Sequence, residues 1–130
     1  MIASSVTDAA WLESIPADRP ALVVAEGLLM YLTEADVRQL LQRITDLFGP
    51  GELLADLLSL WGPRISRLIE WGARDGRVLA DWNPRLRYIE QKSAIGDFEK
   101  IPLKPQRTVF RTLHAIPVLR DYDRLYRFAF

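Results

Sequence analysis

The stretch Val23-Val24-Ala25-Glu26-Gly27-Leu28-Leu29-Met30-Tyr31-Leu32, followed by Thr33-Glu34-Ala35-Asp36, decides how this chain is read. An apolar run stops at an acid and a glycine, then becomes apolar again before a helix opens. A carboxylate at the mouth of a buried strand is costly unless it has a partner. Open α/β sheets bind ligands at the carboxyl ends of their strands. Glu26 is therefore the first candidate for a ligand contact. Its alternative use is structural, as a helix cap or an acceptor for a backbone N–H.

Working outward, Ala21 to Ala25 is a continuous apolar run with two valines. This is the pattern of a strand buried on both faces. Thr33 is a natural N-cap, with Asp36 three residues on as in a capping box. Val37, Leu40, Leu41, Ile44, Leu47 and Phe48 then recur at three- and four-residue spacing, which predicts an amphipathic helix over Glu34 to Phe48. Gly49 ends it and Pro50 prevents its return. Glu52 to Leu58 reads as a second apolar strand, interrupted by Asp56. Strand, helix and strand with short joints make a parallel βαβ unit.

The flanks are less regular. Ile2 to Val6 reads as a strand end or the start of a loop. Asp8 suits an N-cap for a helical turn that places Trp11, Leu12 and Ile15 on one face. Pro16 and Pro20 bound a polar turn. Pro63 is placed to start a third helix, with Ile65, Leu68, Ile69 and Gly72 along one side. Arg85 to Ser93 reads as a strand by Tyr88 and Ile89, and Gly96 to Lys104 as a loop. Thr108 to Leu113 is helical or extended, Pro117 to Tyr122 a short helix, and Arg124 to Phe130 a strand.

Composition narrows the function. The chain has 130 residues, which corresponds to one domain or a half-domain. Lys+Arg and Asp+Glu are equal at 17 each, so no nucleic-acid or membrane partner is implied. The chain has no Cys and a single His, which leaves no thiolate chemistry and no histidine-rich metal site. No signal peptide and no apolar run of about 18 residues is present, and the expected location is cytoplasmic.

The residues Ile2-Ala3-Ser4-Ser5-Val6-Thr7-Asp8, Trp11-Leu12 and Ala25-Glu26-Gly27-Leu28-Leu29-Met30-Tyr31-Leu32 resemble the leucine carboxyl methyltransferase family. The branch is that of the bacterial polyketide O-methyltransferases of the tetracenomycin type. Trp82-Asn83-Pro84-Arg85-Leu86, Ile116-Pro117-Val118-Leu119-Arg120 and Arg127-Phe128-Ala129-Phe130 agree in order. The resemblance covers nearly the whole chain but only the second half of the family's domain. It implies a class I, Rossmann-like methyltransferase fold in which Ala21 to Ala25 and Glu52 to Leu58 are strands four and five. The last two strands would form an antiparallel pair at the far edge. It also implies S-adenosylmethionine as cofactor and a small-molecule acceptor that is methylated on a carboxylate or hydroxyl oxygen. The family's first half carries a glycine-rich turn. The single G-x-G here, Gly49-Pro50-Gly51, reads as a helix-to-strand turn and not as a cofactor loop.

Several site roles follow from the resemblance. Glu26 would meet the ammonium group of the cofactor's methionine end, a charge-assisted hydrogen bond. Gly27 would let the backbone turn beside it. Ser5 and Val6 would flank the adenine, with Trp11 either near it or in the core. Tyr31 and Met30 would face the substrate, Tyr31 orienting the acceptor; its alternative is a core aromatic with a satisfied O–H. His114 is a candidate general base for a phenolic acceptor, or else a surface or structural histidine. Arginines from Arg85 to Arg127 make the C-terminal part basic, either to attract an acidic substrate or as solvated faces. Asp56 has no ligand-like spacing for a metal, and no metal site is expected.

A reading from another class is a non-catalytic α/β fragment that works by self-association or by pairing with a missing half. The unpaired edge of the Ala21 to Ala25 strand would then invite strand addition or a homodimer.

Overall fold

A computed structural model describes residues 2–130. After a loop and the short helix α1 (Ala10–Glu13) come β1 (Ala21–Ala25), a 3₁₀ turn (Leu29–Tyr31), α2 (Glu34–Leu47) and β2 (Gly51–Leu58). Two short helices, α3 (Gly62–Ile65) and α4 (Val78–Trp82), lead to β3 (Arg87–Ser93). The chain then runs through α5 (Lys104–Ala115) and α6 (Pro117–Arg120) into β4 (Asp123–Ala129). The sheet order is β1-β2-β4-β3. β1 lies parallel to β2, while β4 is antiparallel to both β2 and β3. The parallel core and the antiparallel far-edge pair are both as expected.

Helix α2 forms for the reasons its sequence gives. The Thr33 hydroxyl oxygen accepts from the Asp36 backbone N–H at 3.2 Å, satisfying one open N-terminal donor. Such a cap contributes roughly 1 kcal/mol. The hydroxyl also donates to the Asp36 carboxylate at 2.6 Å, so the capping box closes side chain to side chain. Val37, Leu40, Leu41 and Ile44 are buried against the sheet. Each such side chain contributes about 1.5–3 kcal/mol of transfer free energy. Leu47 falls off this stripe and is 38% exposed, contrary to the periodicity. The helix meets Leu53, Ala55, Leu57, Tyr126 and Phe128 on one face of the sheet.

At β1 the opposite face is open, which corrects the reading of this strand as buried on both sides. Ala21, Val23 and Ala25 pack towards the core, but Leu22 is 65% and Val24 is 60% exposed. Side chains alternate across a strand, so only every second residue reaches the covered face. The third helix expected from Pro63 is also corrected. Only Gly62–Ile65 is helical, Ser66 is extended, and Ile65 and Leu68 are exposed. The following segment is held as a strap instead. Glu70 N–H donates to the Met30 carbonyl at 2.9 Å and Ala73 N–H to the Leu58 carbonyl at 2.8 Å. Those bonds tie the turn after β1 to the end of β2 and compete with helix formation. In β3 the register slips between Tyr88 and Glu90. Tyr88 packs on the core through Phe128, and Ile89 is half-exposed rather than a core residue.

Candidate site at the carboxyl ends of β1 and β2

The turn after β1 is built by Gly27. It is the only described residue with positive φ, at 59°. A Cβ there would meet nothing within 4 Å, so conformation rather than crowding demands glycine. Its N–H donates to Asp56 Oδ1 at 2.8 Å. Asp56 lies one strand over and is buried. The carboxylate that fastens this turn is thus Asp56. The sequence reading weighs that structural role for Glu26, and takes Asp56 as an interruption of β2 without metal-ligand spacing.

Glu26 is exposed, and among the described residues its carboxylate takes part in no hydrogen bond or ion pair. It stands at one end of a cleft of about 360 Å³ on the open face of the sheet. Val24, Leu54 and Leu125 lie along this cleft, with Lys92 and Arg127 at its other side. Arg127 is held by Glu52 at 2.7 Å and Glu90 at 3.4 Å, and its pairing keeps the Glu52 carboxyl below its usual range.

A further acid was missed by sequence reasoning. Asp123 opens β4 at this same edge. Its carboxyl is pushed up to about 6, first by burial and then by the negative charge of Asp56. Its Oδ1 is buried without a hydrogen-bond partner among the described residues. The available signal was parity: Asp56 and Asp123 fall on the face opposite Leu53, Leu57, Tyr126 and Phe128.

The other expected residues scatter. Tyr31 is 53% exposed on the 3₁₀ turn, four residues after Gly27, so it is not a core aromatic. Met30 is buried, contrary to a role facing substrate. Ser5 and Val6 lie on the loop before α1. The Ser5 hydroxyl pairs with Thr7 at 2.8 Å, and the Val6 carbonyl accepts from the Trp11 indole at 3.3 Å. Arg43 ties this loop to α2 through the Thr7 carbonyl. Arg43 is roughly 14 Å along the helix from the end that adjoins the Gly27 turn. No described hydrogen bond joins Ser5 or Val6 to Glu26. His114 sits on α5 against Phe98, with ring centroids 5.5 Å apart. Its element follows β3, three strand positions or roughly 14 Å from β1. Among the described residues, no group of three or more His, Asp or Glu side chains is placed to hold a metal ion. No described helix is long and apolar enough to cross a membrane.

Comparison with known proteins agrees with this architecture. No protein-family model matches the chain. It is 35% identical over 141 aligned residues to the tetracenomycin polyketide synthesis O-methyltransferase TcmP of Streptomyces glaucescens, covering 100% of this chain and 52% of that protein. It is 32% identical over 114 residues to the S-adenosyl-L-methionine-dependent methyltransferase dpfgK of Gibberella zeae, covering 74% of this chain and 38% of that protein. Among solved structures, a DUF574 family protein from Streptomyces avermitilis superposes with a TM-score of 0.63 at 11% identity, over 96% of this chain and 52% of that one. The N-methyltransferase NodS from Bradyrhizobium japonicum gives 0.56 at 14% identity, over 98% and 57%. At these identities the structures speak for the fold alone. The chain spans about half the length of the curated relatives it matches, and it is a homologue of proteins named as S-adenosylmethionine-dependent and polyketide O-methyltransferases.

Proposed function

We propose that this chain carries the part of an S-adenosylmethionine-dependent O-methyltransferase site that holds the cofactor's methionine end and faces a small-molecule acceptor. The observation that supports this most is the unpaired, exposed Glu26 beside a glycine-dependent turn, in a chain related to methyltransferases. When bound, S-adenosylmethionine supplies a methyl group activated by its sulfonium. The residues present suit its ammonium group: Glu26 is a free acceptor, and Asp56 fixes the backbone on which it stands. They provide no glycine-rich turn for the remainder of the cofactor. Methyl transfer by direct displacement asks mainly for alignment and exclusion of water. A carboxylate acceptor is already ionised and needs no base. In this reading Tyr31 orients the acceptor from the rim. Ser5 and Val6, on the loop before α1 that Arg43 ties to α2, are assigned to the adenine at the cofactor's far end.

Calorimetric titration with S-adenosylmethionine tests the proposal. Glu26→Gln keeps the shape and removes the charge, so binding should weaken by about 1–3 kcal/mol. Equal affinity in the two proteins would overturn the assignment. Where the chain by itself gives no heat, the same substitution is read in a full-length relative.

The open edge of β1 supports a second reading, association with another copy. Leu22 and Val24 stand exposed on a strand whose outer edge has no described partner. A twofold dimer is the commonest way to cover such a surface.

A further inference from the structure

Between β2 and α4 the chain leaves the body as a loop whose ends meet. Ala73 N–H donates to the Leu58 carbonyl at 2.8 Å, and Gly72 lies against the Ser59 carbonyl with no room for a Cβ. Further out, Ile69 covers Gly62, where a Cβ would meet its Cγ2 at 3.2 Å. Beyond this neck, Ser66 N–H donates to the Gly62 carbonyl at 3.2 Å and Ile69 N–H to the Ser66 carbonyl at 3.2 Å. The tip so formed projects. Ile65 is 67% and Leu68 is 74% exposed, the two barest large apolar side chains among the described residues. Leu60 and Trp61 are half-exposed at the shoulder. The equal charge totals of the chain conceal a local excess here. Residues 59–74 contain Arg64, Arg67 and Arg74 against Glu70 alone. Among the described residues none of these three arginine side chains enters an ion pair or a hydrogen bond. Arg64 lies over the Trp61 ring at 5.0 Å.

We infer that this loop docks the protein on an anionic lipid surface, with Ile65 and Leu68 entering the interface and Arg64 and Arg67 meeting lipid phosphates. The inference is independent of the methyltransferase reading. Each apolar side chain of the tip has an arginine beside it in the chain, Arg64-Ile65 and Arg67-Leu68. A protein partner asks for a contiguous apolar centre ringed by polar groups. A bilayer interface accepts the alternating order, because the long arginine stem lets the guanidinium stay at the phosphates while its neighbour sinks below them. Tryptophan sits at head-group depth, which is the place of Trp61 on the shoulder. Arginine also matches phosphate with a planar fork of donors. Two apolar side chains are a weak anchor by themselves, so the free charges supply the second signal that surface binding needs. Binding is therefore reversible and sensitive to salt.

The test is sedimentation of the full chain with vesicles of phosphatidylcholine alone and with vesicles that also contain phosphatidylglycerol, in dilute buffer and in high salt. Protein that sediments without vesicles is subtracted. Tryptophan emission is the second readout, with the Trp61 share taken as the difference from Trp61→Phe. Anionic vesicles should hold the protein and move the Trp61 emission to shorter wavelength, while neutral vesicles should not, and high salt should release it. Arg64→Gln with Arg67→Gln should weaken partitioning about 30-fold, roughly fivefold for each cation at the surface. Ile65→Ser with Leu68→Ser should weaken it about tenfold or more. Arg87→Gln with Arg111→Gln removes the same charge from β3 and α5 and should leave partitioning nearly unchanged. All six side chains are exposed, so the variants are expected to fold, which circular dichroism checks. No binding to anionic vesicles, equal binding to neutral ones, or equal weakening by the loop pair and the control pair of arginines would overturn the inference. Capture by polyglutamate without capture by anionic vesicles would overturn it in favour of an acidic protein.

Discussion

Asp123→Asn should make the protein more stable at neutral pH and leave it unchanged in acid. Asp123 buries one carboxylate oxygen without a partner, and its carboxyl is raised from 3.8 to about 6 by burial and by Asp56. A raised carboxyl means that the folded protein holds this proton more tightly than the unfolded chain does. Its contribution to stability is complete below about 3.8 and is lost as pH rises through about 6. The interval corresponds to about 3 kcal/mol for a group fully withdrawn from water. Asp123 is half-buried, and solvent screening reduces that to about 1.5 kcal/mol. Asparagine keeps the shape and carries no charge at any pH. Urea unfolding followed by circular dichroism at pH 4, 5, 6 and 7 should give coincident free energies at pH 4. By pH 7 the variant should lead by about 1.5 kcal/mol, or roughly 5 °C in melting temperature for a chain of this size. A difference that stays constant across this range would refute the buried, Asp56-facing assignment.

Three more outcomes follow from the packing. Gly72→Ala would drive a Cβ into the Ser59 carbonyl, so the strap over β2 must shift at a cost of about 1–3 kcal/mol in chemical denaturation; an unchanged midpoint would contradict the close approach. Asn83 is buried, donates to Thr45 Oγ1 at 2.9 Å and accepts from Arg85 N–H at 3.0 Å, so Asn83→Leu should cost about 2–3 kcal/mol in the same assay by stranding both partners; a neutral result would show that the pair is replaceable by packing. Light scattering over a dilution series should show concentration-dependent mass for the wild type and a monomer for Leu22→Lys with Val24→Glu; a wild-type monomer at high concentration with a sharp melt would remove the dimer reading.

The parts legible in sequence were those written by short-range rules. Thr33, the apolar stripe from Val37 to Ile44, and Gly49-Pro50 encode one helix with its own start and stop, and β1 emerges over the residues expected. The region from Pro63 to Asp75 was not legible because its outcome is decided at long range. Its sequence allows a helix, but Ala73 and Glu70 find carbonyls on β2 and on the turn after β1. No local pattern announces those bonds. Of the site, Gly27 declared itself through the break in the apolar run, and its positive φ has the expected cause. The distribution of labour between Glu26 and Asp56 did not. It depends on which strand neighbours β1 and in what register, and Ala25 opposite Ala55 sets Asp56 beside Gly27.

That register also accounts for features that look unrelated in the sequence. If β1 and β2 were covered on both faces, Asp56 would be a charge inside the core, and Leu22 and Val24 would be ordinary core residues. With α2 covering one face only, Leu22 and Val24 of β1 emerge on the other, while Asp56 and Leu58 of β2 stay buried there. Asp56 then fixes the turn from the end of β2, Asp123 lies close enough to feel its charge, and Val24, Leu54 and Leu125 form an apolar floor leading to Glu26. The acid inside an apolar strand and the exposed residues of the valine-rich run beside it therefore share the sheet face that α2 leaves. Whatever covers that face, a second copy or another partner, would lie against the floor of the Glu26 cleft. Substitutions at Leu22 and Val24 should accordingly alter access to Glu26 as well as association, whereas Asp123→Asn should alter stability and leave association unchanged.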